Sequence, residues 1–194
     1  MKKIKNLALV CMSLFCFTSC ISSEFVGVET ALLSDDKSME GTWVYVPKAG
    51  EKDELGVIPT KITVSKGAKK GEYFAEMLSK PKKEGETAKL SPKIPVFLGK
   101  LKGVTFFSMK GKAKPKNKGD KDFMFFNGVY QLNESALIIQ LVMEKEAVAN
   151  KKATGNIGDP KPTVFANAKA VQDFLKKNMV SLDYLSDELN YKKE

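Results

Sequence analysis

The sequence has no histidine and no arginine, and its three cysteines all lie within the first 20 residues. Beyond Cys20 there is neither imidazole nor thiol, which excludes Ser-His-Asp and Cys-His catalysis and ordinary zinc sites. The lack of arginine removes the bidentate side chain that suits phosphates and base edges. Acid pairs such as Asp35-Asp36 and Asp187-Glu188 are adjacent in polar segments, whereas a glycosidase needs carboxylates facing each other across a cleft. We therefore expect a protein that is not an enzyme and has no cofactor or metal.

Positive charge is carried by lysine alone. All 32 basic residues are lysine, and the formal net charge is +9. Basic proteins bind anionic lipid headgroups or nucleic acid, but the densest lysine run has no interleaved aromatic residues on which bases could stack. Nucleic acid is therefore not an expected partner; the run either contacts anionic headgroups or is a solvated loop that aids solubility. Its lysines are Lys110, Lys112, Lys114, Lys116, Lys118 and Lys121.

The first 20 residues have the order of a bacterial export signal. Three lysines within the first five residues precede an apolar run from Leu7 to Phe17, and the small residues Thr18 and Ser19 follow. The apolar run covers about 11 residues, whereas a transmembrane helix needs about 20. The stretch Phe17-Thr18-Ser19-Cys20 resembles the lipobox of bacterial lipoproteins.

The lipobox resemblance implies that residues 1–19 are a signal peptide and that Cys20 becomes the acylated first residue, carrying fatty acids such as palmitate. Several acyl chains on one residue give stable membrane attachment. Ile21, rather than aspartate, follows the cysteine, which by resemblance to enterobacterial sorting favours the outer membrane. We therefore expect a lipid-anchored protein of the bacterial cell envelope.

Three regions follow the signal peptide. Residues 20–38 are expected to be the lipidated N-terminus and a tether, residues 39–180 the folded domain, and residues 181–194 a C-terminal tail. Most of the domain consists of short apolar runs separated by polar turns, such as the predicted hairpin strand 72–79. Many short strands joined by turns are typical of a barrel or a sandwich.

A single helix is predicted near the C-terminus. Asn167 is a good N-cap, and the apolar residues behind it recur at helical spacing, which predicts one face packed against the sheet. These residues are Ala168, Val171, Phe174 and Leu175.

The first predicted strand opens with Gly41-Thr42-Trp43, which contains the only tryptophan of the chain. This motif, followed by a strand meander and one helix ending in Phe174-Leu175, resembles small lipocalin-like bacterial lipoproteins. The resemblance implies a mainly β fold, an eight-stranded up-and-down β-barrel with one C-terminal α-helix. It also implies that Gly41 and Trp43 belong to a motif that closes one end of the barrel. Because the chain lacks arginine, a lysine stem would cover the indole in place of the arginine often found there.

The interior of such a barrel is just wide enough to be filled by side chains or to hold one small ligand. Two functions therefore remain open. One is binding of a small apolar molecule or lipid in the barrel, and the other is a non-catalytic envelope interaction protein with a filled barrel. The abundance of phenylalanine favours a mostly filled interior, although continuous apolar runs also place side chains towards the helix. The candidate residues are Phe97, Phe106, Phe107, Phe123, Phe125, Phe126, Tyr130, Ile138, Ile139 and Leu141.

Overall fold

The computed structural model describes residues 22–23, 26–48, 58–81, 87–112, 123–154, 165–179 and 181–194. Within these ranges the chain forms ten strands and two α-helices. The helices are α1 (Lys145–Thr154) and α2 (Ala168–Asn178). The strands are β1 (Ser22–Ser23), β2 (Gly41–Tyr45), β3 (Lys61–Lys66), β4 (Glu72–Ser79), β5 (Lys89–Leu90), β6 (Ile94–Leu101), β7 (Val104–Lys112), β8 (Phe123–Leu132), β9 (Ala136–Leu141) and β10 (Leu189–Lys193).

Eight of these strands close into an antiparallel barrel. Strands β2, β3, β4, β6, β7, β8, β9 and β10 follow one another around the barrel in chain order. Strand β10 then pairs with β2, with Tyr191 opposite Tyr45. The predicted eight-stranded up-and-down barrel with a helix near the C-terminus is confirmed.

The last barrel strand lies in the segment that we expected to be a C-terminal tail. Residues 189–193 fill the gap between β9 and β2, pairing Leu189 with Ile139 and Lys193 with Trp43. Helix α2 therefore stands between the seventh and eighth barrel strands of the chain. The barrel could not close without residues 181–194, because β10 pairs with both β9 and β2.

Helix α2 begins as the sequence indicates. The Asn167 side chain accepts a hydrogen bond from the Ala170 backbone N–H over 3.0 Å, which confirms the N-cap. Val171 and Leu175 are buried against Phe106 and Val129 on the outer wall of β7 and β8. The helix therefore covers one side of the barrel.

Residues 26–39, here called the N-terminal segment, also pack on the barrel, although we expected residues 20–38 to be a tether. Val28 is buried beside Gly99 of β6, where a Cβ atom would lie only 2.7 Å from the valine side chain. Leu33 pairs with Gly99, and the Ser34 N–H donates to the Leu98 carbonyl over 3.1 Å. The segment crosses the outer wall beside α2 and leads into β2.

The predicted barrel-lining residues divide between two faces, because side chains alternate along each strand. Those that pack inside the barrel are Phe107, Phe126, Tyr130, Ile139 and Leu141. Those on the outer side of the same strands are Phe97, Phe106, Phe123, Phe125 and Ile138. Of the outer group, Phe97 and Phe106 pack in the cluster formed with α2 and the N-terminal segment.

Candidate functional site: the barrel interior and its two ends

One end of the barrel, here called the closed end, is built around Trp43. Its side chain has no solvent exposure, and its indole Nε1–H donates to the Met39 carbonyl over 2.9 Å. Lys193, directly opposite on β10, places its Nζ atom 5.2 Å from the centre of the indole ring. A lysine thus lies over the indole ring, as expected for this chain without arginine.

Gly41 is required by this arrangement for two reasons. Its φ angle is +126°, which side-chain-bearing residues rarely adopt. A Cβ atom at this position would also lie 3.1 Å from Cε of Lys193. Gly41 therefore allows the lysine stem to pass over the start of β2 on its way to the Trp43 ring.

Two buried tyrosines and an aspartate tie the N-terminal segment to the closed end. The Asp36 N–H donates to the Tyr73 hydroxyl over 2.8 Å, and the Tyr130 hydroxyl donates to Asp36 Oδ2 over 3.3 Å. Burial raises the pKa of both tyrosines, and the charge of Asp36 raises that of Tyr130 further. Asp35 accepts from the Gly71 N–H over 2.7 Å and pairs with Lys66, contacts that lower the pKa of its carboxyl. These contacts fix the end of the N-terminal segment.

The raised pKa of Tyr130 predicts a loss of stability at alkaline pH. In the unfolded chain tyrosine ionises near about pH 10, whereas the folded protein retains the Tyr130 proton to higher pH. The stabilisation that the protonated Tyr130 gives the folded state is therefore complete below that pH. The free energy of unfolding falls as the pH rises above it, by up to about 1.4 kcal/mol per pH unit. The variant Tyr130→Phe should cost about 1 kcal/mol at neutral pH through the lost hydrogen bond, but its disadvantage should shrink or reverse above about pH 10.

Urea unfolding followed by Trp43 fluorescence, from about pH 7 to about pH 11, measures this effect for the two proteins. Tyr73 titrates in both, so the difference between the two unfolding free energies isolates Tyr130. A difference that stays constant across the range would contradict the buried, protonated state of Tyr130.

The half of the interior next to the closed end is solid. Apart from the Tyr73 and Tyr130 hydroxyls, it is filled by large side chains with little or no solvent exposure. They are Trp43, Tyr73, Leu98, Tyr130, Leu137 and Tyr191.

The other half of the interior, towards the long connections, is apolar and only half-buried; we call this the open end. Its inward-facing side chains belong to the same interior cluster, but each retains solvent exposure. Six different strands contribute to this lining, which is composed of Tyr45, Met77, Val96, Met109, Ile139 and Leu189. The open end therefore presents a partly exposed apolar lining next to the solid half of the barrel.

Helix α1 covers one side of the open end. Val148 packs with Phe126 of β8 and Met143, and Met109 and Leu141 lie against this group. Gly111 leaves room for the Phe126 ring, since a Cβ atom there would lie 2.4 Å from it. The helix therefore lies against the β7, β8 and β9 side of the open end.

Most of the predicted site residues for membrane contact lie outside the described residues. These are Cys20, Lys114, Lys116, Lys118 and Lys121. The backbone of Lys112 pairs with Phe123 at the end of β7. Lys110 places its Nζ atom 3.9 Å from the centre of the Phe123 ring, on the outer wall near the open end.

The sequence interpretation did not identify Lys193, nor the lining residues Met77, Val96, Met109 and Leu189. The alternation in Leu189-Asn190-Tyr191-Lys192-Lys193 was an available signal for a strand. The lining residues have no comparable signal, because a single sequence does not show which apolar face of a strand lies towards the open end.

Comparison with protein-family models, with curated proteins and with solved structures finds no match to this chain. No helix among the described residues has the length and apolar character needed to cross a bilayer. The described part of the chain also has no cluster of three or more acidic side chains placed to hold a metal ion.

Proposed function

We propose that this protein is a non-catalytic bacterial lipoprotein of the cell envelope that binds a small apolar molecule or lipid in the open half of its barrel. The observation that carries this proposal is the difference between the two halves of the interior. The half at Trp43 is solid, whereas six apolar side chains at the open end are half-buried. The export signal and lipobox resemblance support acylation of Cys20 and an outer-membrane location.

The chemistry of the lining favours an apolar ligand with flexible chains. Met77 and Met109 have unbranched, polarisable side chains that adapt to irregular apolar shapes. Val96, Ile139 and Leu189 add aliphatic surface, and none of these five side chains has a charge. Binding would therefore depend on burial of apolar surface, worth about 25 cal/mol per Å².

Val96→Phe is expected to abolish or strongly reduce ligand binding. Val96 lies opposite Tyr73 on one side and Met109 on the other, so a phenyl ring at this inward position would fill the space between them and the open end. The matched control is Val44→Phe, the same change at a half-buried position on the outer face of β2. Full-length protein purified from membranes would be measured by native mass spectrometry and by lipid extraction, with intact mass reporting acylation of Cys20.

A stoichiometric adduct in the wild type and in Val44→Phe, lost in Val96→Phe, is the expected result. An adduct retained equally in all three proteins would contradict binding in the barrel. A mass without acyl chains would contradict acylation of Cys20, whereas the result for ligand binding in the barrel could still be interpreted.

The second candidate is an envelope interaction protein with a filled barrel. The solid half at Trp43 and the cover provided by Phe126, Met143 and Val148 favour it. A wild-type protein with no adduct, even after incubation with envelope lipid extract, would be the result that supports this alternative.

A further inference from the structure

The start of the described chain is held on the barrel and not on a free tether. Strand β1 pairs with the first half of β8, with Ser22 opposite Phe126 and Ser23 opposite Phe125. This part of β8 is available because β9 pairs with β8 only from Gly128 to Leu132. Two residues span at most about 7 Å, so Cys20 must lie within that distance of Ser22. A free tether of 18 residues would give a mean separation of about 20–25 Å.

The outer wall beside β1 has the side chains of a membrane-contacting surface. Phe97, Phe123 and Phe125 form an aromatic row, with ring centres 6.2 Å apart for Phe97 and Phe125 and 5.9 Å apart for Phe123 and Phe125. Phe97 and Phe123 are half-buried, and Lys110 lies over the Phe123 ring. Aromatic rings and lysine stems with a charged head are characteristic of the membrane–water interface.

The charge of this wall fits an anionic surface. Strands β6, β7 and β8 contain no acidic residue, and Lys110 lies on the outer face of β7, two residues before Lys112. The exposed Lys93 immediately precedes β6, and the sequence between β7 and β8 adds Lys114, Lys116, Lys118 and Lys121. Each lysine close to an anionic bilayer contributes about 1 kcal/mol of attraction, which corresponds to about a fivefold change in the equilibrium constant for contact with the bilayer.

We propose that the outer wall formed by Phe97, Lys110 and Phe123 lies directly on the anionic membrane in which Cys20 is anchored. This rests on the proposed acylation of Cys20 and adds an orientation to it. The open end of the barrel is then next to the bilayer surface, since Lys110 and Phe123 lie at that end of their strands. A lipid would pass between membrane and barrel over a short path along this wall.

The test uses the mature, acylated protein in vesicles of phosphatidylcholine with phosphatidylglycerol as the anionic lipid. A fluorophore is attached through Lys93→Cys, next to the proposed surface, or through Lys192→Cys on the outer face of β10. Both positions are exposed lysines, so the two variants lose the same charge. After removal of residues 1–19 and acylation of Cys20, each introduced cysteine is the only free thiol. Nitroxide-labelled lipids quench a fluorophore that lies at the membrane.

Strong quenching at position 93 and little at position 192 is expected. Adding Lys110→Gln to the position-93 variant should lower the ratio of docked to undocked protein by about fivefold, whereas Lys192→Gln in the same background should leave it unchanged. Equal quenching at both positions, or stronger quenching at 192, would overturn the docking surface. An unacylated mass would instead overturn the anchor, so the two failures are distinguishable.

Discussion

Replacing Trp43 with alanine is expected to destabilise the protein by about 3–5 kcal/mol, the range measured for large aromatic residues in protein cores. Trp43 has no solvent exposure, and it joins three parts of the molecule: its own strand, Met39 of the N-terminal segment and Lys193 of the closing strand. Since domains are stable by only about 5–15 kcal/mol, the variant should lose a large part of its unfolding free energy and unfold at a lower urea concentration. Urea unfolding followed by far-ultraviolet circular dichroism measures the change.

Trp43→Phe separates packing from the polar contacts at Trp43. Phenylalanine retains a buried ring but cannot donate to the Met39 carbonyl, so its cost should be clearly smaller than that of alanine. Lys193→Met, which retains an unbranched side chain without the charge, should cost less than Trp43→Phe because an exposed cation–π contact is worth about 0.5–1 kcal/mol. If Trp43→Ala were no more costly than Lys193→Met, Trp43 would not be the centre of the closed end.

The strands could be predicted from the sequence because their signals are local, but these signals fit a barrel or a sandwich, and the expectation of a barrel came from the resemblance to lipocalins. The run Glu72–Ser79 is predicted as a hairpin strand and is observed with those bounds. Asn167 marks the start of α2 because its side chain satisfies a helix N–H, whatever the rest of the fold. Gly41 and Trp43 were expected at a closed end because of the resemblance of Gly41-Thr42-Trp43 to the lipocalin motif, and both residues lie there.

The missed elements depend on contacts that a single sequence does not contain. The alternation of apolar and polar residues in β10 holds from Leu189 to Lys192 and breaks at Lys193, whose side chain lies over Trp43. Helix α1 has only one buried residue among those whose side chains are described, Val148, and therefore no apolar stripe. The N-terminal segment is held by the shape of the wall at Gly99 and by tertiary hydrogen bonds.

The sequence predicts that the barrel interior is apolar, but not which part of it is open. An apolar interior follows from any barrel of this size, but its division into a solid and an open half depends on where the large side chains lie. Tyr73, Tyr130 and Tyr191 all lie towards the Trp43 end, whereas Val96, Met77 and Met109 lie towards the other. That distribution depends on strand register, which closes around the barrel only when β10 is in place.

Gly99→Val is expected to release the N-terminal segment from the barrel wall. A Cβ atom at Gly99 would lie 2.7 Å from the Val28 side chain, 2.9 Å from the Phe106 ring and 3.2 Å from the Leu32 carbonyl oxygen. Such crowding costs about 1–3 kcal/mol if the structure adjusts around it. The segment can instead detach, because it lies on the surface while β6 is paired on both sides.

Hydrogen exchange measures this release at the backbone. In the wild type the Gly27 N–H donates to Ser108 Oγ over 3.1 Å and the Ser34 N–H to the Leu98 carbonyl, so both should exchange slowly. In Gly99→Val, exchange over residues 26–36 should approach that of an unstructured chain, while β7 and β8 remain protected. Lys100→Val, the same side chain at the adjacent exposed position, is the control and should leave residues 26–36 protected.

The same substitution links the fold to the proposed membrane orientation. A detached segment would become the free tether that the wild-type structure lacks, with a mean reach of about 20–25 Å. The fluorophore at position 93 should then lose its contact with labelled lipids, although Cys20 stays acylated and the barrel stays folded. Slow exchange over residues 26–36 in Gly99→Val would show that the wall tolerates the valine and that Gly99 does not control the segment. Rapid exchange with undiminished quenching would show that the barrel holds the membrane without β1, through Lys110 and its aromatic neighbours alone.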